Sequence, residues 1–470
     1  FFLSYYFREN YESAMRQLPY IASGVTINRI EVWITNKRGT YDNSRNLVAF
    51  VDLGEADEAH LLTNGVHSVT TSPQPNNKAN SLYAEIAAMT DVRNIQQTNA
   101  ILGGMHPDWT GGEDYEKIES ARLLNSSEYT LNSALGYISL RQALNQDEVL
   151  CVAYEYSYGG QIYQVGEFST ENSENLKAPN ALFVKMLKSS SNSPIADKPH
   201  RGTWDLMMKN IYSIGATQMT SENFELQVMY RNDSVGTDLQ YLPETKIKGK
   251  PLLRVMNLDR LDKKNNKTPD GKFDYVEGYT ALSSMGRIIF PVLEPFGSYL
   301  ASQIDDPLLA EKYIFQELYD STLVNAEEYS EKNKFTLTGK YKGTNGSEIR
   351  LNAMNVPRGS VTVTAGGATL IENVDYTVDY MMGVVKILNQ SLIDAGTNIN
   401  VKLENQSTFS MKRKSLIGTH LEYQFNKDFS IGGTLMYMNE RPLTTKVNTG
   451  SEPLSNLVWG INLAYKTEFM

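Results

Sequence analysis

Three segments near the end of the sequence alternate between apolar and polar residues with a period of two. The apolar positions recur in every segment: Ile417, Leu421, Tyr423 and Phe425, then Phe429, Ile431, Leu435 and Tyr437, then Leu457, Trp459, Ile461, Leu463 and Tyr465. The opposite positions are small or polar: Gly418, His420, Glu422, Gln424, Ser430, Gly432, Thr434, Gly460, Asn462 and Lys466. Each segment has about ten residues, the length of a tilted strand that crosses a bilayer. The pattern predicts three amphipathic strands within residues 415–469.

The connections between these segments differ in length. The turn Asn426-Lys427-Asp428 joins the first two segments, whereas a long polar stretch, 439–456, joins the last two. Outer-membrane β-barrels have short turns on one side and long loops on the other. A sheet of a soluble protein with one solvent-exposed face shows the same alternation of apolar and polar residues. Periodicity alone therefore leaves a membrane strand and a soluble sandwich strand as equal alternatives.

Composition narrows the classes of protein. The 470 residues carry a net charge of −10, which disfavours a nucleic-acid-binding protein. The single cysteine, Cys151, excludes an intramolecular disulfide framework. No apolar run approaches the ~18 residues of a membrane helix. The mean hydropathy of −0.38 does not argue against membrane strands, because these are polar at alternate positions.

The sequence begins Phe1-Phe2-Leu3, without an initiator methionine or a signal peptide, so we expect an interior piece of a longer chain. The predicted fold is mainly β: a sector of a very large antiparallel outer-membrane barrel with α-helical and small β-sandwich-like insertions. The predicted parts are 1–60 (helix and barrel-type strands), 61–147 (α-rich insertion), 148–245 (barrel-type strands and loops), 246–300 (Asp-Gly loop region), 301–349 (helix and connecting strand), 350–410 (small β module) and 411–470 (barrel strands).

Local patterns predict individual elements. The predicted helices are 8–18, 82–102 and 308–318, the last capped by Asp306, with weaker helical candidates at 113–122 and near Leu131. The predicted strands are 25–35, with an irregularity near Asn28, then 46–53, 150–158, 161–168, 211–219 and 224–231. We expect the first two strands to pair with each other. Four short predicted strands, 361–364, 376–380, 384–388 and 399–403, are separated by glycine-containing turns and indicate the small module.

One loop has the composition of a calcium site. Against the twelve-residue calcium loop, Asn266, Asp270, Asp274 and Glu277 fall at positions 1, 5, 9 and 12, with Gly271 at position 6. The flanking residues do not have helical patterns, so an EF-hand is not expected. A surface Asp-Gly turn is the favoured alternative. The possible cofactor is therefore one structural calcium ion.

Motifs for catalysis are absent from the sequence. It contains no G-x-S-x-G, no H-E-x-x-H and no phosphate-binding G-x-x-x-x-G-K-[ST]. The five histidines show no ligand spacing, and no combination of nucleophile, base and orienting residue is recognisable. The sequence predicts a protein that is not an enzyme.

Several long phrases resemble one family. They are YIASGVTINRIEVWITNK (20–37), RNLVAFVDLGE (45–55), LDRLD (258–262), PDGKFDYVEG (269–278), EPFG (294–297) and GGTLMYMNERP (432–442). Together they resemble the SprA/Sov family, the outer-membrane translocon of the type IX secretion system of Bacteroidota. The likeness extends over essentially the whole chain and rests on long phrases rather than short motifs.

The resemblance implies a function and partners. It implies a pore in the cell outer membrane that exports folded proteins bearing a C-terminal signal, and a role in gliding motility in gliding species. It also implies a PorV-type barrel partner, a plug protein and contact with membrane lipid, without nucleic acid. It supplies no catalytic residues. The alternative that the residues leave open is an extracellular, calcium-stabilised β-sandwich adhesin or binding module.

Overall fold

A computed structural model describes residues 1–470 except 38–42, 62–67, 71, 171–178, 192–201, 216–218, 234–235, 244–246, 248, 305, 344–347, 352–355, 357–358, 395–396, 404–411, 443–453 and 468–470. The described chain is mainly β, as predicted. It forms two compact units. The first contains Phe1–Met229, Gln240–Glu311 and Leu337–Thr344; the second contains Tyr230–Leu239, Lys312–Thr336 and Asn345–Met470.

The strands are β1 (Val25–Ile34), β2 (Arg45–Phe50), β3 (Tyr115–Leu123), β4 (Tyr129–Asn132), β5 (Tyr137–Leu140), β6 (Leu150–Tyr158), β7 (Gln161–Val165), β8 (Ala181–Lys188), β9 (Ile211–Ser213), β10 (Met219–Asn232), β11 (Thr237–Leu239), β12 (Ala281–Leu282), β13 (Arg287–Ile289), β14 (Phe335–Gly343), β15 (Glu348–Arg350), β16 (Val361–Ala365), β17 (Ala368–Thr369), β18 (Tyr376–Asp379), β19 (Val384–Ile387), β20 (Ile399–Leu403), β21 (Lys412–Asn426), β22 (Phe429–Pro442) and β23 (Ser455–Tyr465).

The α-helices are α1 (Tyr5–Met15), α2 (Leu82–Ala88), α3 (Thr98–Met105), α4 (Thr203–Leu206), α5 (Leu252–Val255), α6 (Ser298–Gln303), α7 (Pro307–Tyr313), α8 (Glu317–Asp320), α9 (Leu323–Glu327) and α10 (Gln390–Asp394). Short 3₁₀ turns occupy Glu58–His60, Thr90–Arg93 and Ser283–Met285. No helix within the described ranges has the length and apolar character needed to span a bilayer.

A small closed barrel organises the first unit. Its strands follow the order β1-β3-β2-β8-β6, and β6 pairs back onto β1, which closes the ring; β7 adds a hairpin to β6. The pairs are antiparallel except β2 with β8, which is parallel. Closure leaves no free edge among these five strands.

Both faces of the barrel wall are buried. Alternate residues fill the interior, including Trp33, Leu47, Ala49, Cys151, Leu182, Val184 and Met186. The residues between them join a separate outer core with helix α1, including Val32, Val48, Phe50, Val152, Phe183, Phe7, Tyr11 and Met15. Two buried faces explain why β8 is buried along all eight residues.

This barrel differs from the predicted arrangement of the same segments. We predicted barrel-type membrane strands in 1–60 and 148–245, but β1, β2, β6 and β8 belong to the small barrel, and β7 pairs with β6 beside it. The outer faces of β1, β2, β6 and β8 pack against other residues of this chain, including helix α1, and not against lipid. The predicted pairing of 25–35 with 46–53 is also wrong, because β3 lies between β1 and β2.

The helical candidates at 113–122 and near Leu131 are wrong as well. The first is strand β3 and the second is β4. In β3, Ile118 and Ala121 both enter the barrel core, although they are three residues apart. The register shifts between their partners Leu47 and Arg45, and Ser120 has φ 52°. This β-bulge inserts one extra residue, so an inward-facing pair acquires helical spacing.

Other local predictions have mixed outcomes. The irregularity near Asn28 is confirmed by a register shift between Ile27 and Arg29. Helix α7 begins at Pro307, and Asp306 Oδ1 accepts a hydrogen bond from Leu308 N at 2.9 Å, but the helix ends at Tyr313. The predicted helix 82–102 is divided into α2, a 3₁₀ turn and α3. The segment 61–147 contains these helices and also strands β3, β4 and β5.

Two three-stranded sheets form a small sandwich in the second unit. One sheet has the order β15-β19-β18 and the other β17-β16-β20. They share a core in which Val361 and Val363 of one sheet meet Tyr376, Val385 and Ile387 of the other. This sandwich lies in the segment for which the turn spacing predicts a small β module.

Candidate functional site

Strands β21, β22 and β23 form a separate antiparallel meander. The three predicted amphipathic strands are all present, with 15, 14 and 11 residues. Residues at the same height align across the sheet, for example Tyr423 with Ile431 and Ile431 with Leu463. Because the side-chain period is two, this register places the predicted apolar positions of the three strands on one face. The opposite face is polar near the tight turn but carries Leu416, Met436 and Val458 farther from it.

That apolar face is exposed. Twelve large side chains on it are between 37% and 74% exposed: Ile417, Leu421, Tyr423, Phe425, Ile431, Leu435, Tyr437, Leu457, Trp459, Ile461, Leu463 and Tyr465. Nothing among the described residues covers them. Exposure of neighbouring apolar residues over three strands is unlike the scattered apolar residues of an ordinary soluble surface.

Aromatic rings gather at the tight-turn end of this face. Tyr423 and Phe425 have ring centroids 4.7 Å apart, Phe425 and Phe429 5.1 Å, and Phe429 and Tyr465 6.2 Å. Asn426 Oδ1 accepts a hydrogen bond from Asp428 N at 2.9 Å and so stabilises the turn. The aromatic cluster therefore marks one end of the apolar face.

The opposite face is polar near the turn. His420 Nδ1 and Thr434 Oγ1 are 2.7 Å apart. Gly432 lies beside the amide of Asn462, and a Cβ atom at position 432 would come within 2.5 Å of Asn462 Oδ1. The absence of a side chain at position 432 lets the exposed amide of Asn462 lie over the backbone there, and a Cβ atom would require this amide to shift.

The other end of the sheet carries an ion pair between β21 and β22. Lys414 Nζ is 2.8 Å from Glu440 Oε1, and Leu454 N donates to Glu440 Oε2 at 3.3 Å. The predicted long connection, 439–456, lies mostly outside the described residues. Among the described strands, none pairs with the far edges of β21 and β23.

The proposed calcium ligands lie in a loop of the first unit. Asp274, which is 7% exposed, accepts hydrogen bonds from Arg260 N at 2.7 Å and Leu261 N at 3.1 Å. Glu277 Oε1 accepts from the backbone and hydroxyl of Ser283, and Asp270 Oδ1 from Lys272 N. Asn266 Nδ2 donates to Asp262. Each predicted ligand therefore stabilises the loop itself.

The carboxylates of Asp259 and Asp262 also belong to this loop, which we call the Asp loop (residues 258–283). Asp259 Oδ1 accepts from Asp270 N at 3.0 Å and from Gly271 N at 3.1 Å, where Gly271 has φ 81°. Burial is the main reason that the pKa of Asp274 is raised to about 6; the charges of Asp259 and Asp270 also raise it, and the two backbone N–H donors lower it. A bound cation would relieve this repulsion, and the calcium site stays a prediction.

Geometry brings together a different group of possible ligands. Among the described His, Cys, Asp and Glu residues, one group of three has ligand atoms within 4.8 Å of one another: Glu9, Asp57 and His60. His60 Nε2 is 2.9 Å from Glu9 Oε1, and its ring stacks on Tyr5. Only the spacing of Asp57 and His60 was visible in the sequence, because Glu9 comes from helix α1. Two of the three residues are exposed to water, so the group carries no argument for a metal.

Comparisons with known proteins add no relative. No protein-family model matches this chain, and no curated protein matches it.

Proposed function

We propose that this chain is part of the wall of an outer-membrane pore that translocates folded secreted proteins by the type IX pathway. The single observation that carries the proposal is the exposed apolar face of β21, β22 and β23. The SprA/Sov resemblance supplies the pathway, the cargo with a C-terminal signal, the PorV-type and plug partners, and the role in gliding motility.

The size of the apolar face supports contact with lipid. The largest apolar patch of a soluble monomer is typically about 300–600 Å². Here twelve large apolar side chains, each more than a third exposed, are adjacent on one sheet face. Exposure of this face to water costs free energy, whereas exposure to the hydrocarbon of a bilayer does not, because the hydrophobic effect acts only in water.

The dimensions of the strands agree with this orientation. From Phe429 to Tyr437, eight steps of about 3.4 Å give roughly 27 Å along the strand. The apolar band of an outer-membrane barrel is ~25 Å tall and is bordered by aromatic girdles. The ring cluster at the tight turn supplies the aromatic residues of one border, and a short turn is typical of the periplasmic side of such barrels, so we assign that border to the periplasmic side.

The polar face supplies the wall of a water-filled channel. Its residues near the turn are small or hydrogen-bonding, including Gln424, Ser430 and the pair His420 and Thr434. A translocated polypeptide requires a wall that exchanges hydrogen bonds with water and offers few apolar contacts. Barrels with aqueous lumens have this alternation of lipid-facing and lumen-facing residues.

The two sheet edges that no described strand pairs require further strands. In hydrocarbon every backbone N–H and C=O group must be paired, so open sheet edges do not occur there. Other strands must therefore continue the sheet beyond β21 and β23 to close a barrel. The small sandwich and the unit with the five-stranded barrel are then water-exposed parts attached to this wall.

A charge placed on each face tests the proposal. Arginine near the bilayer midplane costs about 2–4 kcal/mol on a lipid-facing position. We expect Leu421→Arg and Leu463→Arg to prevent membrane assembly. The substitutions are made in the complete pore that contains this chain, because the chain alone lacks the strands that close a barrel. The assay would measure protein in the washed outer-membrane fraction, and export of a type IX cargo, in a host that lacks its own translocon.

Gln424→Arg is the matched control, because it introduces the same charge on the polar face at a similar height. It should assemble and export as the unchanged protein does. If all three variants assemble equally and the protein is recovered as a soluble extracellular species, the adhesin interpretation replaces the pore.

A further inference from the structure

A cavity of about 360 Å³ lies in the first unit, where β1 and β3 end beside the segment 140–148. Ligand pockets typically measure about 300–1,000 Å³ and combine apolar walls with a few polar groups. The apolar part of this wall includes Ile34, Leu124, Leu140 and Leu144. The cavity therefore has the size and lining of a site for a small molecule.

Arg122 is the polar group that defines the cavity. Its side chain is 13% exposed, and its Nη1 lies 3.0 and 2.8 Å from the two carboxylate oxygens of Glu128. A guanidinium carries five N–H donors in a fixed plane. Among the described residues, no hydrogen-bond acceptor meets Nε or Nη2, and neither atom is sealed from solvent. These donors are available to a ligand in the cavity.

Glu128 fixes Arg122 rather than competing with a ligand. Its Oε2 also accepts a hydrogen bond from Asn125 N at 3.0 Å, so the carboxylate is held by its own loop. The second acid, Glu148, accepts from Asn145 N at 2.7 Å. The arginine is thus oriented before any ligand arrives, which reduces the entropy lost on binding.

The charge of the lining selects the ligand. The cations Lys37, Arg122 and Arg141 outnumber the acids Glu128 and Glu148 by three to two. Lys37 is partly neutralised by Asp147, whose Oδ1 is 2.5 Å away. With Asp147 counted, cations and acids balance, so it is the N–H donors of Arg122 that no described residue pairs that accept one negative charge, whereas a dianion such as phosphate would be repelled by the nearby carboxylates.

We propose that this cavity binds a monocarboxylate with a short branched apolar body. The carboxylate accepts hydrogen bonds from Nε and Nη2 of Arg122, the planar arrangement in which guanidinium and carboxylate groups pair best. The aliphatic part contacts Leu124, Leu140 and Leu144. The ligand is either a free acid or the C-terminal residue of a polypeptide, which share this chemistry.

Calorimetric titration of the 470-residue chain in detergent tests the site. The probes are 4-methylpentanoate, its uncharged amide, and a short peptide that ends in leucine with a free carboxylate. We expect the acid to bind at least about tenfold more tightly than the amide, because charged hydrogen bonds exceed neutral ones in strength. Binding of the peptide alone would identify a chain terminus as the ligand. Failure of both carboxylates to bind would overturn the proposal.

Variants locate the binding. Arg122→Gln/Glu128→Gln removes the guanidinium charge without leaving the carboxylate of Glu128 unpaired, and it should abolish binding. Ala143→Trp keeps both charges and fills the cavity from its exposed wall, so it should abolish binding even if the double variant fails to fold. Arg16→Gln, an exposed arginine elsewhere, should bind normally.

Binding that survives Ala143→Trp would place the ligand outside the cavity. The result is independent of membrane assembly, because the cavity belongs to the unit that lacks β21–β23.

Discussion

Lys185 and Glu55 form an ion pair that is fully buried. Their charged atoms are 2.5 Å apart, and the two side chains are 0% and 1% exposed. Lys185 Nζ also donates to the carbonyl oxygen of Val51, and Tyr5 N donates to Glu55 Oε1 at 3.3 Å. These contacts offset the large cost of removing both charges from water. The pair connects β8 to the residues that follow β2. Removal of either partner alone would leave one buried charge without a counter-charge.

We expect Lys185→Met to destabilise the first unit by about 3–5 kcal/mol, because Glu55 would remain buried without its partner. Lys185→Met/Glu55→Met should lose much less, since it removes both charges and keeps the volume. Hydrogen exchange of the β8 amides measures the change within this unit. Equal losses in the two variants would contradict this account of the pair.

Asp274 gives the Asp loop a pH dependence. Its folded-state pKa of about 6 lies above its ordinary value of 3.8. The folded protein therefore binds this proton more tightly than the unfolded chain between these values, and stability from this group is lost as the pH rises through about 6. We expect the melting temperature of the unchanged protein, relative to Asp274→Asn, to fall between pH 4 and 6 and to be constant above pH 7.

Calcium provides the complementary experiment on the same residue. If the predicted calcium site forms, millimolar Ca²⁺ competes with the proton and lowers the pKa of Asp274, so the pH effect should shrink and calorimetry should detect heat. The absence of both signals would leave the surface Asp-Gly turn as the explanation of this loop. Asp274→Asn without added calcium is the reference in both cases.

At the scale of elements, the bulge in β3 sets the register of the small barrel. Ser120 takes a left-handed backbone conformation there, and its N–H donates to Asn46 Oδ1 at 3.0 Å. The bulge allows Ile118 and Ala121 to face the same interior. Without it, every residue beyond position 120 would change face.

We expect Ser120→Gly to stabilise the first unit by about 0.5–1 kcal/mol, because a left-handed conformation strains a residue with a Cβ atom. Ser120→Val should destabilise it, since a β-branched side chain increases that strain. Ser157→Gly, at an ordinary position of β6, is the control and should lose about 0.5–1 kcal/mol. Hydrogen exchange of the β2 and β3 amides reports all three. A loss in Ser120→Gly equal to that in Ser157→Gly would show that the strain is absent.

At the scale of the whole molecule, the two largest β-sheets differ in whether their edge strands are paired. The five-stranded barrel closes on itself, and the sheet β21–β23 does not close among the described residues. Open edges next to a large apolar face are sites of association. The proposed pore would cover both features, the face with lipid and the edges with neighbouring strands.

We therefore expect the isolated 470-residue chain to self-associate in detergent. Light scattering after size exclusion should give masses above the 52.8 kDa of one chain, in a broad distribution. A monodisperse species of 52.8 kDa with a sharp cooperative melt would contradict this expectation. The removal of 412–470 is the control, and it should reduce the association.

The sequence by itself determined the amphipathic strands β21–β23 and four of the six strands of the sandwich: β16, β18, β19 and β20 begin at the predicted residues. These features are local, because a period of two fixes which side chains share a face wherever the strand lies. The composition of the Asp loop was visible too, although the use of its carboxylates by backbone N–H groups was not. The orientation of Arg122 depends on Glu128 and its loop, and no short motif records it.

Only the tertiary structure decided that β1, β2, β3, β6 and β8 close into a small barrel. A strand that is buried on both faces does not alternate between apolar and polar residues, so its sequence does not indicate which strands it pairs with. The bulge in β3 also gives its inward-facing residues a spacing of three, which is typical of a helix. The pairing partners of these strands are distant in the sequence, and β1 meets β6 more than 100 residues later. Which edges pair, and therefore which faces meet water, is a property of the assembled chain.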